Sequence, residues 1–331
     1  MRRFVTKIVT GLMVASMAFA CAPVFAAETT TEAPETATEA AEEPDTGDAS
    51  KDDPRNQDDI GEKEILVVSF GTSFNDNRVA TIGAIEQKIA DEFEKEGWSV
   101  RRAFTADIII NHVKDRDGEV IDNVEEALKR ARDNGVKKLV VQPTHLMAGL
   151  EFEELTGTLQ KYEQDFEAIE IGQPLLSTDE DKKDVAEELV KVTKSFDDGE
   201  TAIVFMGHGT NHEANGVYAE MQDIIRKEAG NDNYFVGVVH DGAKPDVNDV
   251  LAEVQKNDAF KKVVLRDMMV VAGDHANNDM ADANDPESWY STFKAAGYEV
   301  ETVLEGLGQI EDIQEMYVDH CEDAVEKINA K

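Results

Sequence analysis

Ala202-Ile-Val-Phe-Met-Gly-His-Gly-Thr210 decides the fold, because the chain carries it twice, the other copy being Ile65-Leu-Val-Val-Ser-Phe-Gly-Thr72. Each is an unbroken apolar run stopped by glycine, the pattern of a strand covered on both faces. Ser69-Phe-Gly-Thr72 aligns with Gly207-His-Gly-Thr210. Further on, Lys137-Lys-Leu-Val-Val141 leads to Gly149 at the spacing by which Lys261-Lys-Val-Val-Leu265 leads to Gly273. Self-similarity of this kind says more than any single motif and predicts two similar lobes facing one another across a cleft.

Outward from these runs, apolar strands alternate with helical periodicity. The first lobe reads as strand 65–70, helix 79–95, strand 100–104, helix 120–134 and strand 139–142. The second reads as strand 202–206, helix 214–228, strand 235–239, helix 247–257 and strand 263–267. This alternation predicts an α/β protein of two Rossmann-like lobes with parallel sheets. Ligands of such sheets sit beyond the carboxyl ends of the strands, which nominates loops 70–74, 145–152, 208–212 and 273–278.

The chain has 331 residues, enough for a leader and two modest lobes. Arg2, Arg3 and Lys7, the apolar run over 8–20 and the small residues of Val24-Phe-Ala26 predict an export signal over 1–26. Cys21 offers an alternative lipoprotein site, a poorer one because Phe19 is bulky where a small residue is usual. Residues 27–62 are acidic, with no aromatic residue and with Ile60 as the only large aliphatic, and read as a disordered spacer. The lobes are then expected over 63–197 and 198–331. A formal charge of -37 argues against nucleic acid and anionic lipid as partners. No stretch after the leader is apolar and long enough to span a bilayer. Once Cys21 leaves, Cys321 has no partner for an intrachain disulfide. The sequence is compatible with a homo-oligomer.

Histidine marks the chemistry. His208 lies between two glycines, His275 in Ala272-Gly-Asp-His-Ala-Asn-Asn278, and His240 directly after the strand 235–239. All three fall at strand ends of one lobe, where imidazoles can converge on a divalent ion such as cobalt, nickel, iron or zinc. In the repeat register Glu151 takes the place of His275, as a carboxylate able to attract the ion or accept protons. His212 and His145 have ordinary capping or orienting roles beside any direct one, and His112 and His320 read as surface residues. The zinc spacings, the nucleotide fingerprints and the Gly-x-Ser-x-Gly elbow are missing from the sequence, so no nucleotide is expected.

These residues resemble the anaerobic sirohydrochlorin cobaltochelatases (CbiK type) of the class II chelatases. The similarity runs through Leu66-Val-Val-Ser-Phe-Gly-Thr-Ser73, Phe104-Thr-Ala-Asp-Ile-Ile-Ile110, Arg116-Asp-Gly118, Gly149-Leu-Glu-Phe-Glu153, Val204-Phe-Met-Gly-His-Gly-Thr210, Val270-Val-Ala-Gly-Asp-His-Ala-Asn-Asn-Asp-Met-Ala281, Ser288-Trp289 and Gly306-Leu-Gly308. It implies a chelatase fold with lobes related by a pseudo-twofold axis. It also implies insertion of a divalent metal, cobalt foremost with iron or nickel behind it, into a sirohydrochlorin-like tetrapyrrole held between the lobes. By position, His208 and His275 match the family's metal-binding and proton-accepting histidines, and Glu151 an acidic residue needed for activity. The chain departs from the family where a metal-site glutamate is usual: it reads Val239-His-Asp-Gly242, so His240 takes that place, with Asp241 second. Arg101, Arg102, Arg116 and Arg266 are the candidates for the substrate carboxylates. The rival expectation is an exported carrier of metal or haem that keeps the fold without turnover.

Overall fold

The computed structural model describes residues 46–331. The expected leader and the first part of the spacer, 1–45, lie outside the described residues. The first half runs β1 (Lys63–Ser69), α1 (Asn75–Arg78), a π-helical turn (Val79–Gly83), α2 (Ala84–Phe93), β2 (Ser99–Phe104), α3 (Asp107–Asp117), α4 (Val124–Asp133), β3 (Lys138–Pro143), α5 (Leu150–Gln160), β4 (Ala168–Ile171) and α6 (Asp179–Thr193). The second runs β5 (Thr201–Gly207), α7 (Gly216–Ala229), β6 (Tyr234–Val238), α8 (Val247–Val254), β7 (Lys262–Asp267), α9 (Trp289–Ala295), β8 (Glu299–Val303) and α10 (Glu311–Asn329). The strands form two parallel sheets of order β2-β1-β3-β4 and β6-β5-β7-β8, so the sequence repeat is a repeat of topology.

The central strands are the continuous apolar runs seen in the sequence. The edge strands β4 and β8 are only partly buried and carry Glu170 in one, Glu299 and Glu301 in the other, so no periodicity announces them. Helix α4 starts later than expected because Asn123 caps it. The Asn123 side chain accepts from the Glu126 N–H while Glu126 accepts from the Asn123 N–H.

Alternate strand residues feed different cores, as the two-residue period requires. Val67 and Phe205 enter a core shared by both halves, together with Leu189, Val236, Tyr317 and Ile328. Leu66 and Val68 face a second core with Leu128 and Leu139, and Val204 and Met206 a third with Phe235 and Phe293. The shared core is closed by an exchange of helices: α10 returns to pack on α2, β3 and β4, while α6 packs on α7. Tyr317 in α10 donates its hydroxyl to the Thr144 carbonyl (3.0 Å). The last nineteen residues of regular structure thus sit with the first sheet, which differs from a lobe running unbroken over 198–331.

A second correction concerns the spacer: over residues 46–62 it is packed, not disordered. Ile60 is buried in the core of the first sheet. Asp52 accepts from Arg78 Nε (2.6 Å) and from both terminal nitrogens of Arg102 (2.6 and 3.0 Å). Burial works to raise the Asp52 pKa, but the Arg102 and Arg78 guanidiniums overcome it and hold the carboxyl below its ordinary value. Both arginines are fully buried, and Glu86 and Glu119 complete the cluster. Composition missed this because the ordering comes from a few buried charges that need partners, not from apolar content.

Candidate active site

Strand β5 delivers His208 through a turn that tolerates no side chain on either flank. A Cβ on Gly207 would lie 2.1 Å from the Tyr218 ring, and one on Gly209, at φ +80°, 2.6 Å from Val238. His208 Nδ1 donates to the Gly209 carbonyl (2.8 Å), which leaves Nε2 as the lone-pair nitrogen. The His208 ring lies 4.8 Å from that of His275 and 5.4 Å from that of His240, centroid to centroid. His275 follows β7 and enters the π-helical turn Ala276–Met280, where its Nδ1 meets Asp279 Oδ2 at 2.7 Å. That carboxylate sets the tautomer and leaves Nε2 open, as it does for many metal-binding histidines.

The third imidazole differs. The backbone N–H of His240 donates to the His208 carbonyl (2.7 Å), tying the two loops together. Its Nε2 accepts from the Asn211 amide (3.2 Å), so only Nδ1 is unengaged. Asp241, the second choice at this place, is exposed. Burial chiefly, and then the His275 ring beside it, lowers the His208 pKa, whereas the Asp279 hydrogen bond raises that of His275. Asp274, His275 and Asp279 also present ligand-type atoms within 4.8 Å of one another, a set the sequence reading missed. Asp279 stands four residues after His275, a spacing that becomes a contact only because the intervening turn is helical.

From the first sheet, α5 brings Glu151 to this face. Its Oε2 stands 3.5 Å from His145 Nε2, and partial burial together with the charge of Glu154 raises its pKa. Burial pushes the His145 imidazole down to about 4, and neither of its ring nitrogens finds a hydrogen-bond partner among the described residues. Glu151 also lies close enough to Tyr218 for its charge to act on the phenol, whose oxygen accepts from the Gly209 N–H (3.1 Å). Two residues along α5, Glu153 reaches His212 of the second lobe at 3.4 Å.

The two lobes meet at these loops. Asn77 accepts from the Ala272 N–H (2.9 Å), and a Cβ on Gly273 would lie 3.0 Å from Thr72 Oγ1. Three of the four arginines expected to meet substrate carboxylates, Arg101, Arg102 and Arg266, are buried in ion pairs, which corrects the expectation for them. Arg101 is fully buried against Glu64 and Asp122, and Arg102 against Glu86 and Asp52. Arg266 is buried beside Glu305. Arg116 braces the first loop through the Ser73 carbonyl (2.7 Å) and the Asn75 side chain (3.0 Å). His112 is exposed on α3, as expected. His320 is mostly covered instead, between Asp181 (3.2 Å) and the Gln173 carbonyl (3.1 Å).

The sequence model of the cobalt chelatase (CbiK) family matches residues 63–326. This chain belongs to that family. The sirohydrochlorin cobaltochelatase of Salmonella typhimurium is 34% identical over 263 residues, covering 80% of this chain and 96% of that protein. The sirohydrochlorin cobaltochelatase CbiKC of Nitratidesulfovibrio vulgaris is 29% identical over 269 residues, covering 81% and 92%. Among solved structures, the sirohydrochlorin chelatase SirB of Bacillus subtilis in complex with cobalt superposes with a TM-score of 0.54 over 82% of this chain and 98% of SirB. At 13% identity that likeness supports the fold alone. The two-sheet chelatase architecture is thus common to this CbiK-family chain and to a far more distant relative.

Proposed function

We propose that this protein is a sirohydrochlorin cobaltochelatase that holds Co2+ on His208, His275 and His240 and inserts it into the tetrapyrrole bound between the lobes. The observation that carries the reading is the clustering of three imidazole rings at strand ends of one lobe, in a chain of the CbiK family. Two of the rings keep Nε2 open, which is the state a metal-binding imidazole requires. The reaction exchanges one divalent ion for the two inner pyrrole protons. A histidine leaving the ion, or Glu151, accepts them, and the raised pKa of Glu151 brings that carboxyl nearer to a useful proton acceptor. The ion is substrate here, and the reaction needs no nucleotide. His240 in place of a carboxylate makes the site softer and less negative, which moves metal preference toward nickel or zinc relative to a glutamate-bearing site.

The same proposal places the protein outside the cytoplasm, on the strength of the leader pattern over 1–26. Intact mass of the secreted protein tests it, since cleavage after Ala26, lipidation at Cys21 and an uncut N-terminus give three different masses. Among the described residues no helix is long and apolar enough to cross a membrane.

The function is tested by mixing the protein with sirohydrochlorin and limiting Co2+ without oxygen and following the absorbance change of metal insertion. Multiple turnovers that disappear in His208→Ala are the expected result. Stoichiometric binding without turnover would replace the chelatase by a carrier.

A further inference from the structure

Among the described residues, the large apolar side chains left exposed are Phe70, Ile108, Val120, Leu150 and Leu304. All of them stand in or beside connections that leave the carboxyl ends of strands, the face on which open α/β sheets bind ligands. Two are singled out by topology. Phe70 follows β1 and Leu150 follows the β3 loop, and β1 and β3 are the central strands of their sheet. Ile108 and Val120 belong to the connection after the edge strand β2, and Leu304 follows the edge strand β8.

In the repeat, Phe70 aligns with His208, and Leu150-Glu151 aligns with Asp274-His275. Where the second lobe presents His208 the first presents an exposed phenyl ring, and beside Glu151, which stands where the second lobe has His275, it presents an exposed leucine. Their loops also touch the second lobe. Thr72, two residues after Phe70, lies against Gly273, two residues before His275. Gly149, next to Leu150, approaches Ala214, for a Cβ there would be 3.9 Å from the Ala214 methyl. Charge points the same way. Arg101, Arg102 and Arg266, being buried in ion pairs, are not placed to meet a ring of substrate carboxylates. Inside its carboxylate rim the face of a tetrapyrrole is apolar, and aromatic or aliphatic side chains pack favourably on such a face.

We propose that Phe70 and Leu150 form the apolar wall on which the tetrapyrrole plane rests, opposite the histidines of the second lobe. The inference rests on the chelatase reading. It assigns to the first lobe the holding of the macrocycle and to the second the holding of the ion, so the two affinities are separable.

The test titrates sirohydrochlorin and, separately, Co2+ into the full protein and its variants. Phe70→Gln and Phe70→Leu are similar in size and differ in polarity at a half-exposed position, so neither disturbs the core. Phe70→Gln is expected to raise the macrocycle Kd about tenfold and Leu150→Gln about fivefold, with Phe70→Leu within about threefold of the parent. The Co2+ Kd stays within about twofold throughout, and Ile108→Gln changes neither. Macrocycle affinity unchanged in Phe70→Gln and Leu150→Gln, with the parent turning over normally, overturns the apolar wall alone. A parent that takes up Co2+ but neither binds nor metallates sirohydrochlorin overturns the chelatase reading, and this inference with it.

Discussion

The two lobes share a strand order but differ in the charge they bury and in the residues of their loops. The first encloses a cluster of buried charges, Arg78, Arg101 and Arg102 with Asp52, Glu64, Glu86, Glu119 and Asp122. At its strand ends it presents Phe70, Leu150 and Glu151. The second buries fewer such groups, Arg266 and Asp267 beside its apolar core, and its strand ends present His208, His240 and His275. One scaffold thus occurs twice, and its equivalent loop positions carry different residue types in the two copies. Part-exposed imidazoles at the strand ends of the second lobe can exchange partners with an ion.

The division is broken most sharply at His208. His208→Ala is expected to lower kcat/KM for cobalt insertion about 10³-fold, within the range for loss of a group that transfers protons or holds the reacting ion. Steady-state absorbance assays check it, with sirohydrochlorin binding as the property that stays. The first lobe breaks at Asp52 instead. Asp52→Asn removes the carboxylate that two buried guanidiniums share, leaving Arg102 with Glu86 and Arg78 with Glu119, and is expected to cost about 3 kcal/mol of unfolding free energy, read by urea denaturation. The same experiment separates a packed segment from a tether, since loss of charge in a tether would cost nothing.

His145 sharpens the comparison through pH. Its folded pKa is depressed to about 4 from an ordinary value of 6.5, so the folded protein holds it neutral. Its contribution to stability is complete above pH 6.5 and is lost as pH falls from there through 4, amounting to about 3 kcal/mol at the acid end. His145→Asn is therefore expected to flatten that part of the stability profile relative to the parent, in paired denaturation series from pH 7 to pH 4. A smaller effect belongs to His240, whose Nε2 is shared with Asn211. His240→Ala is expected to weaken Co2+ binding about tenfold, measured by calorimetry, and no change would remove it from the site. The smallest belongs to the inter-lobe ion pair. Glu153 is largely exposed, so Glu153→Gln is expected to change stability by less than about 1 kcal/mol in the urea assay. The lobes are held by their shared core.

Much of this was legible because it is written locally. The repeat, the central strands and the three histidines all show in short windows, since a buried parallel strand needs an unbroken apolar run and a histidine in a tight turn needs glycine around it. The histidine cluster needed one further step, that residues following parallel strands of one sheet end on one side. Other features leave no local mark. The edge strands are half-polar, and the Asp279 partner of His275 becomes visible only when the turn is known to be helical. Arg101, Arg102 and Arg266 were misjudged because exposure of a charged residue is the default that sequence supplies.

The amino-acid sequence by itself determined the class of the protein, its duplicated architecture and the lobe that carries imidazole. Hydrophobic period and residue type at strand ends are properties of short segments. Tertiary structure alone decided that residues 46–62 are part of the fold, that α10 crosses to the first sheet, and that Arg101, Arg102 and Arg266 face inward. Each depends on partners distant in the chain: Asp52 meets Arg102, Tyr317 meets Thr144, Glu64 meets Arg101. A buried charge is stable only where its counter-charge arrives, and that meeting is a fact of packing which no window of sequence contains.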